Sequence, residues 1–231
     1  MKIVARFDGR AEAGGSSLLM HNERLSDPLD EYARALKEIS GKKNKTDADL
    51  LEMARREFMG GLYVNGNGPC IPADNVLACI TEGARRYKKG KNVDRGLFPL
   101  VQEVDLLYDG PRKPDQLWKE REQFSLRKGV NVMGKKVIRT RPLFEDWALE
   151  FPFEVDAEIF DLDELQMIVV AAGRYAGLGD RRPRMGRFAG SVLSDDDWLK
   201  QGNGNTDAIW NSNRSAIQVV LESDGKRKKR H

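Results

Sequence analysis

The clearest alternation in the chain runs from Trp147 to Glu154, where Trp147, Leu149, Phe151 and Phe153 are interleaved with Ala148, Glu150, Pro152 and Glu154. A period of two predicts a strand with one face on a core. Helical spacing appears elsewhere. Leu29, Tyr32, Ala33, Leu36 and Ile39 predict a helix opened by Asp27-Pro28 and stopped by Gly41. Leu50, Met53, Ala54 and Phe58 predict a second, with Thr46 as its N-cap and Asp49 in the capping-box position. Val76, Leu77, Ile80 and Ala84 predict a third over 72–88, with Arg85, Arg86, Lys88 and Lys89 where cations suit the dipole. Leu165, Ile168, Val169 and Ala172 predict a fourth over 161–173. Strands are further expected at Ile3–Phe7, at 18–21, after Gly60-Gly61, over 98–108, around Arg141-Pro142 and over 186–193.

Taken in order, 18–21, 72–88, 98–108, 145–155, 161–173 and 186–193 spell βαββαβ. The expected fold class is therefore α+β, a ferredoxin-like or RRM-like core with an antiparallel sheet. Two insertions, at about 22–71 and 110–140, interrupt it. One domain is expected over 1–200. Residues 201–231 are expected to hold an edge strand at 216–221 and a basic tail containing Lys226, Arg227, Lys228, Lys229 and Arg230.

With 231 residues the chain is long enough to bury a core without staples. No apolar run approaches the roughly 18 residues of a membrane span, and Met1 to Asp8 lack the apolar stretch expected of a secretory signal. Two cysteines, Cys70 and Cys79, and two histidines give no disulfide framework and no Cys/His zinc cluster. The expected compartment is the cytoplasm. Neither a phosphate-binding P-loop nor a dinucleotide fingerprint is present, and no cofactor is expected.

Net charge is only +3, but it is segregated. Residues 126–141 carry six bases and no acid, and 142–164 carry nine acids and no base. Residues 173–190 carry five arginines against one aspartate. Such blocks can present a localised track to a polyanion.

The most specific stretch is Gly177-Leu178-Gly179-Asp180-Arg181-Arg182-Pro183-Arg184-Met185-Gly186-Arg187-Phe188, between a predicted helix and a predicted strand. Its glycines permit tight turns, and its arginines offer planar donors to phosphates or bases. This stretch resembles the glycine-rich loop of the RAMP superfamily, the RNA-binding subunits of CRISPR effector complexes. In that family a Gly-hydrophobic-Gly element, a basic spacer and a further Gly join the last helix and last strand of an RRM-like domain. The resemblance maps Gly177, Leu178 and Gly179, then Arg181, Arg182 and Arg184, then Gly186, onto that loop. It implies RNA in preference to single-stranded DNA, and subunits stacked head-to-tail within a homo-oligomer or nucleoprotein complex.

The expected nucleic-acid contacts are thus Gly177, Gly179, Arg181, Arg182, Arg184, Gly186 and Arg187. Arg139 and Arg141 share a strand face by alternation and are expected to support them. Lys42, Lys43, Lys45, Lys135 and Lys136 extend the basic surface, and His21 ends the first core strand. Three alternatives stand beside this reading. The loop arginines pair with the acids of 142–164, and the loop is only a chain reversal. The chain is a protein–protein module, such as a phage-encoded inhibitor or decoy of such a complex. Or His21 is the general base of an RNA nuclease.

Overall fold

The computed structural model describes residues 1–132, 134–201, 210 and 214–222. The first strand, β1 (Lys2–Asp8), carries Ile3, Val4, Ala5 and Phe7 into the interior. The two-residue β2 (Leu18–Leu19) follows. Helices α1 (Glu31–Gly41) and α2 (Asp47–Gly61) come next. Thr46 and Asp49 form the predicted reciprocal capping box at the start of α2. Short strands β3 (Val64–Asn65) and β4 (Gly68–Pro72) lead into α3 (Ala73–Arg85) and α4 (Gly90–Gly96). Three more short strands follow: β5 (Leu97–Pro99), β6 (Glu103–Asp105) and β7 (Leu107–Tyr108). Two small helices, α5 (Pro114–Lys119) and α6 (Arg121–Phe124), precede a long hairpin of β8 (Ser125–Val132) and β9 (Lys135–Phe144). The chain then runs through β10 (Trp147–Val155), α7 (Leu162–Ala171), β11 (Ala189–Ser194), α8 (Asp195–Gln201) and α9 (Arg214–Glu222).

The fold is mixed α and β with antiparallel sheets. In the main sheet the strand order is β11-β1-β10-β5, every neighbouring pair antiparallel, and β7 also pairs with β10. Helices α3 and α7 pack one face. Val76, Ile80, Leu165, Ile168 and Val169 form one core with Ile3, Phe7, Leu149, Phe151 and Phe153. Asp161 caps α7 by accepting from Glu164 N at 2.8 Å.

The other face is covered as well. Val4 packs with Trp198 of α8 and Ile217 and Leu221 of α9, and Ala148 with Trp210. Hence β10 is buried at every residue except Glu154, and the alternation that predicted one solvated face reports instead two unlike buried faces. The second face holds a charged pair. Glu150 accepts from Arg6 Nε at 2.5 Å and from Trp198 Nε1 at 2.9 Å.

Several expectations are corrected. The first strand of the main sheet is β1, not 18–21. Leu18 and Leu19 pair with Phe144 and Leu143 of β9 in a separate sheet. Residues 98–108 do not form one strand, because a bend at 100–102 separates β5 from β6 and a break at Leu106 separates β6 from β7. Gly60 and Gly61 end α2 instead of opening a strand. Residues 216–221 are not an edge strand. They lie in α9, which buries Ile217 and Leu221 one turn apart and exposes Gln218 and Val219. The basic residues 226–230 lie outside the described residues.

Candidate functional site

The Gly/Arg segment leaves α7 through one wide helical turn, Ala172–Ala176, and reaches β11 at Ala189. Its seat is the chain around β2. Asp180 N donates to Leu19 O, Gly186 N to Ser17 O, and Arg187 N to Ser16 Oγ, at 2.8, 2.8 and 3.0 Å. Leu178 N closes the loop onto Gly186 O at 2.8 Å, and the Leu178 side chain is buried. The strands of backbone approach too closely for side chains. A Cβ at Gly186 would lie 1.7 Å from Leu178 O, and one at Gly179 would lie 2.5 Å from Leu19 O. Both residues also have positive φ, +72° and +78°, which L side chains rarely adopt. The glycines are therefore required by packing. Gly177, at φ +74°, makes the turn out of the helix.

The arginines are a separate matter. Arg182, Arg184 and Arg187 are exposed and Arg181 is half-buried. Among the described residues, no side-chain ion pair joins any of them to the acids of 142–164. Glu150 pairs with Arg6, and Glu164 with Lys89. The loop's one acid, Asp180, faces Arg141 across 2.9 Å, which ties the hairpin to the loop.

A line of depressions runs past this ion pair. The first, about 450 Å³, lies between α1 and the hairpin and includes His21, Leu36, Glu57, Arg139 and Arg141 in its walls. Arg139 and Arg141 thus share one face, as alternation predicted. Its floor holds a buried carboxylate, Glu57, which accepts from Arg139 Nη1 at 2.5 Å and from Thr140 N at 2.8 Å. His21 also lines the second depression, about 210 Å³, together with Tyr63, Asn75, Gly179, Asp180 and Arg182. Arg182 continues into a third, about 580 Å³, beside Glu82, Arg85, Arg86, Tyr175 and Pro183. Arg85 continues into a fourth, about 490 Å³, with Lys88, Lys91, Asp94 and Arg95. Arg86 lies over the Tyr175 ring at 3.8 Å, and nearly half of Tyr175 is exposed. Successive depressions share a wall residue: His21, then Arg182, then Arg85.

Of the expected contacts, the structure brings His21, Arg139, Arg141, Gly179 and Arg182 together along this groove. Arg181, Arg184 and Arg187 stay on the loop but do not line these depressions. Lys42, Lys43 and Lys45 occupy the exposed turn between α1 and α2. There Lys42 Nζ sits 2.6 Å from Asp49 and holds that carboxyl down to about 2, and Lys45 Nζ donates to Lys42 O at 2.8 Å. Lys136 is exposed on the hairpin, and Lys135 opens β9 with its side chain outside the described residues. Lys42, Lys43, Lys45 and Lys136 do not line the groove.

Sequence reasoning missed Arg85, Arg86, Tyr175, Asp180 and Glu57 as parts of the site. In the sequence, the end of α3 alone accounts for Arg85 and Arg86. Tyr175, two residues before the first glycine, was the available signal.

Burial, with Arg141 and Arg139 beside it, holds His21 below its ordinary value, and Asp180 offsets this only in part. Burial pushes Cys70 and Cys79 up to about 12, so neither is a ready nucleophile. No helix among the described residues is long and apolar enough to cross a membrane. Compared with known proteins, the chain matches no protein-family model and no curated sequence.

Proposed function

We propose that the chain binds a single-stranded nucleic acid, RNA before DNA, along the groove from Arg141 past Arg182 to Arg95. The observation that carries this is the lining itself. Arg182, Arg85, Arg86, Lys88, Lys91 and Arg95 line two adjoining depressions whose only acids are Glu82, which pairs with Arg85, and Asp94. Phosphates need such a row of cations, and Tyr175 under Arg86 offers a stacking face. The opposite face of the main sheet is covered by α8, α9 and Trp210, so the groove is the open route.

The element order supports the finer fold reading. Read as β1, α3, β5, β10, α7 and β11, the main domain is βαββαβ. Its fourth strand lies beside its first, then its third, then its second, the arrangement of a ferredoxin-like or RRM-like sheet. The Gly/Arg loop then joins the last helix to the last strand, where the RAMP resemblance requires it. On this reading the chain is a cytoplasmic subunit of a nucleoprotein complex. Copies follow one another head-to-tail along the strand, as the separated basic and acidic blocks suit.

Fluorescence polarisation with labelled single-stranded RNA, single-stranded DNA and duplex at two salt concentrations tests this. Binding to a single strand should weaken with salt. Arg182→Ala with Arg85→Ala should weaken binding and lower the salt slope by about one for each phosphate that is no longer neutralised. Absence of binding to every probe at low salt would refute the proposal.

A further inference from the structure

The depression beneath α1 differs in kind from the rest of the groove. One side of it is apolar, formed by Leu25, Ala33, Leu36, Met53 and Val130. Its charges are internally balanced. Arg139 is paired with the buried Glu57, Arg141 with Asp180, and His21 is held below its ordinary value. Only Lys37, at the rim on an exposed helical position, adds an unbalanced charge. A phosphate gains little there. A neutral, planar group with donors and acceptors on one edge gains most. At about 450 Å³ the space is of the size that small ligands occupy.

Helix α1 points the same way. It is strongly amphipathic, with Ala33 and Leu36 turned to the cavity, yet none of its residues is buried. The helix packs along α2 on one side and borders the cavity with Ala33 and Leu36 on the other, so its apolar stripe has room for a further partner. The polar wall can still accept. A carboxylate has about four lone-pair positions, and the protein uses Glu57 Oε1 once and Oε2 once. N–H groups on a ring edge could take the others.

We propose that this cavity receives one unstacked base of the bound strand. The base lies between Leu36 and the hairpin with its N–H edge toward Glu57, while its backbone passes His21 toward Arg182. Bases on single strands are commonly splayed out and read in this manner. The inference rests on the proposed single-strand binding, and the following experiment separates their failures.

Two labelled probes of equal length are compared by polarisation at low salt: a homopolymeric RNA, run for each of the four bases, and a ribose-phosphate oligomer without bases. Wild-type protein should bind at least one base-bearing strand roughly tenfold tighter than the baseless one, the range for one sequestered base. Leu36→Trp and, independently, Ala33→Trp fill the cavity from an unburied helix. Each should erase that difference, with circular dichroism verifying the fold. Equal, salt-sensitive binding of both probes by wild type would overturn the base site and leave the groove standing. A difference that survives both tryptophan variants would place base recognition elsewhere and overturn it too. Failure of all probes to bind would remove the groove and the base site together.

Discussion

Two arginine–glutamate pairs of this chain have the same closest approach and opposite surroundings. In the main sheet Arg6 Nε meets Glu150 Oε1 at 2.5 Å, and Trp198 Nε1 donates to the same oxygen at 2.9 Å. On the hairpin Arg139 Nη1 meets Glu57 at 2.5 Å, and Thr140 N completes it. Both carboxylates are buried, at 0% and 7% side-chain exposure. The arginines differ: Arg6 is 12% exposed and roofed by the Trp210 ring at 5.0 Å, while Arg139 is 36% exposed and lines a cavity. The chemistry of the pair does not decide its role. What covers it does. The sealed pair holds α8 and Trp210 over a sheet, and the open pair leaves polar atoms available to a ligand.

The largest expected effect breaks the sealed pair. Glu150→Ala removes the carboxylate to which Arg6 Nε and Trp198 Nε1 donate under α8, and should cost about 3–5 kcal/mol. For a chain of this size that lowers Tm by roughly 10 °C. The double replacement Arg6→Met/Glu150→Leu should restore most of the loss, because an apolar filling avoids burying a charge. If the double variant is as unstable as the single, the pair holds the helices by geometry that apolar packing does not replace.

Next comes the seat of the loop. Gly186→Ala forces a Cβ against Leu178 O at a left-handed backbone position, and should cost about 1–3 kcal/mol. Gly66→Ala, where a Cβ meets nothing within 4 Å, should change stability by less than about 0.5 kcal/mol. Chemical denaturation of the two variants measures the contrast. Similar losses for both would mean the loop yields without strain.

The open pair should give a smaller loss. Glu57→Gln keeps one acceptor for Thr140 N, and Arg139 can turn to water, so about 1–2 kcal/mol is expected. Set against Glu150→Ala, this value tests the comparison directly. A loss as large as that of the sealed pair would show that access to the cavity does not relieve the unpaired arginine.

The smallest effect is a pH dependence at His21. Its folded value lies below the unfolded one, so the native state binds the proton less readily than the unfolded chain. The associated stability is present above the unfolded value, near 6.5, and is lost as pH falls through the lowered one. Wild-type Tm should therefore decline slightly more than that of His21→Gln between pH 7.5 and 5. Parallel profiles would mean that His21 is not held down by Arg141 and its surroundings.

Much of the local structure was legible because local rules act without help from distant residues. The Thr46–Asp49 capping box, the face of α3 and the strand at β10 each follow from interactions within a few positions. Other elements were not legible, for the converse reason. Ile3–Phe7 and Leu18–Met20 are both apolar and both buried. Only pairing with β10 and β11 gives the first the centre of the sheet, while β2 is left to pair with β9. Ala216–Leu221 is rich in β-branched residues and reads as a strand. Packing of Ile217 and Leu221 against Trp198 and Val4 favours a helix, since a helix alone puts residues four apart on one side. Of the site, the loop and the shared face of Arg139 and Arg141 were readable. Glu57 was not, because a carboxylate beside an apolar stripe looks solvated until its partner strand is known.

The sequence by itself determined the helices and strands with strong periodicity, the chain reversal at Gly177–Gly186 and the segregation of charge, all of which depend on near neighbours or composition. The tertiary structure alone decided which arginines stand together. It aligned Arg182 with Arg85, Arg86 and Tyr175 by crossing α3 against the turn after α7, sealed Arg6 under α8 and left Arg139 open beneath α1. The two ion pairs join residues 82 and 144 positions apart, and burial, which sets the strength of every charge, exists only once such distant segments have met.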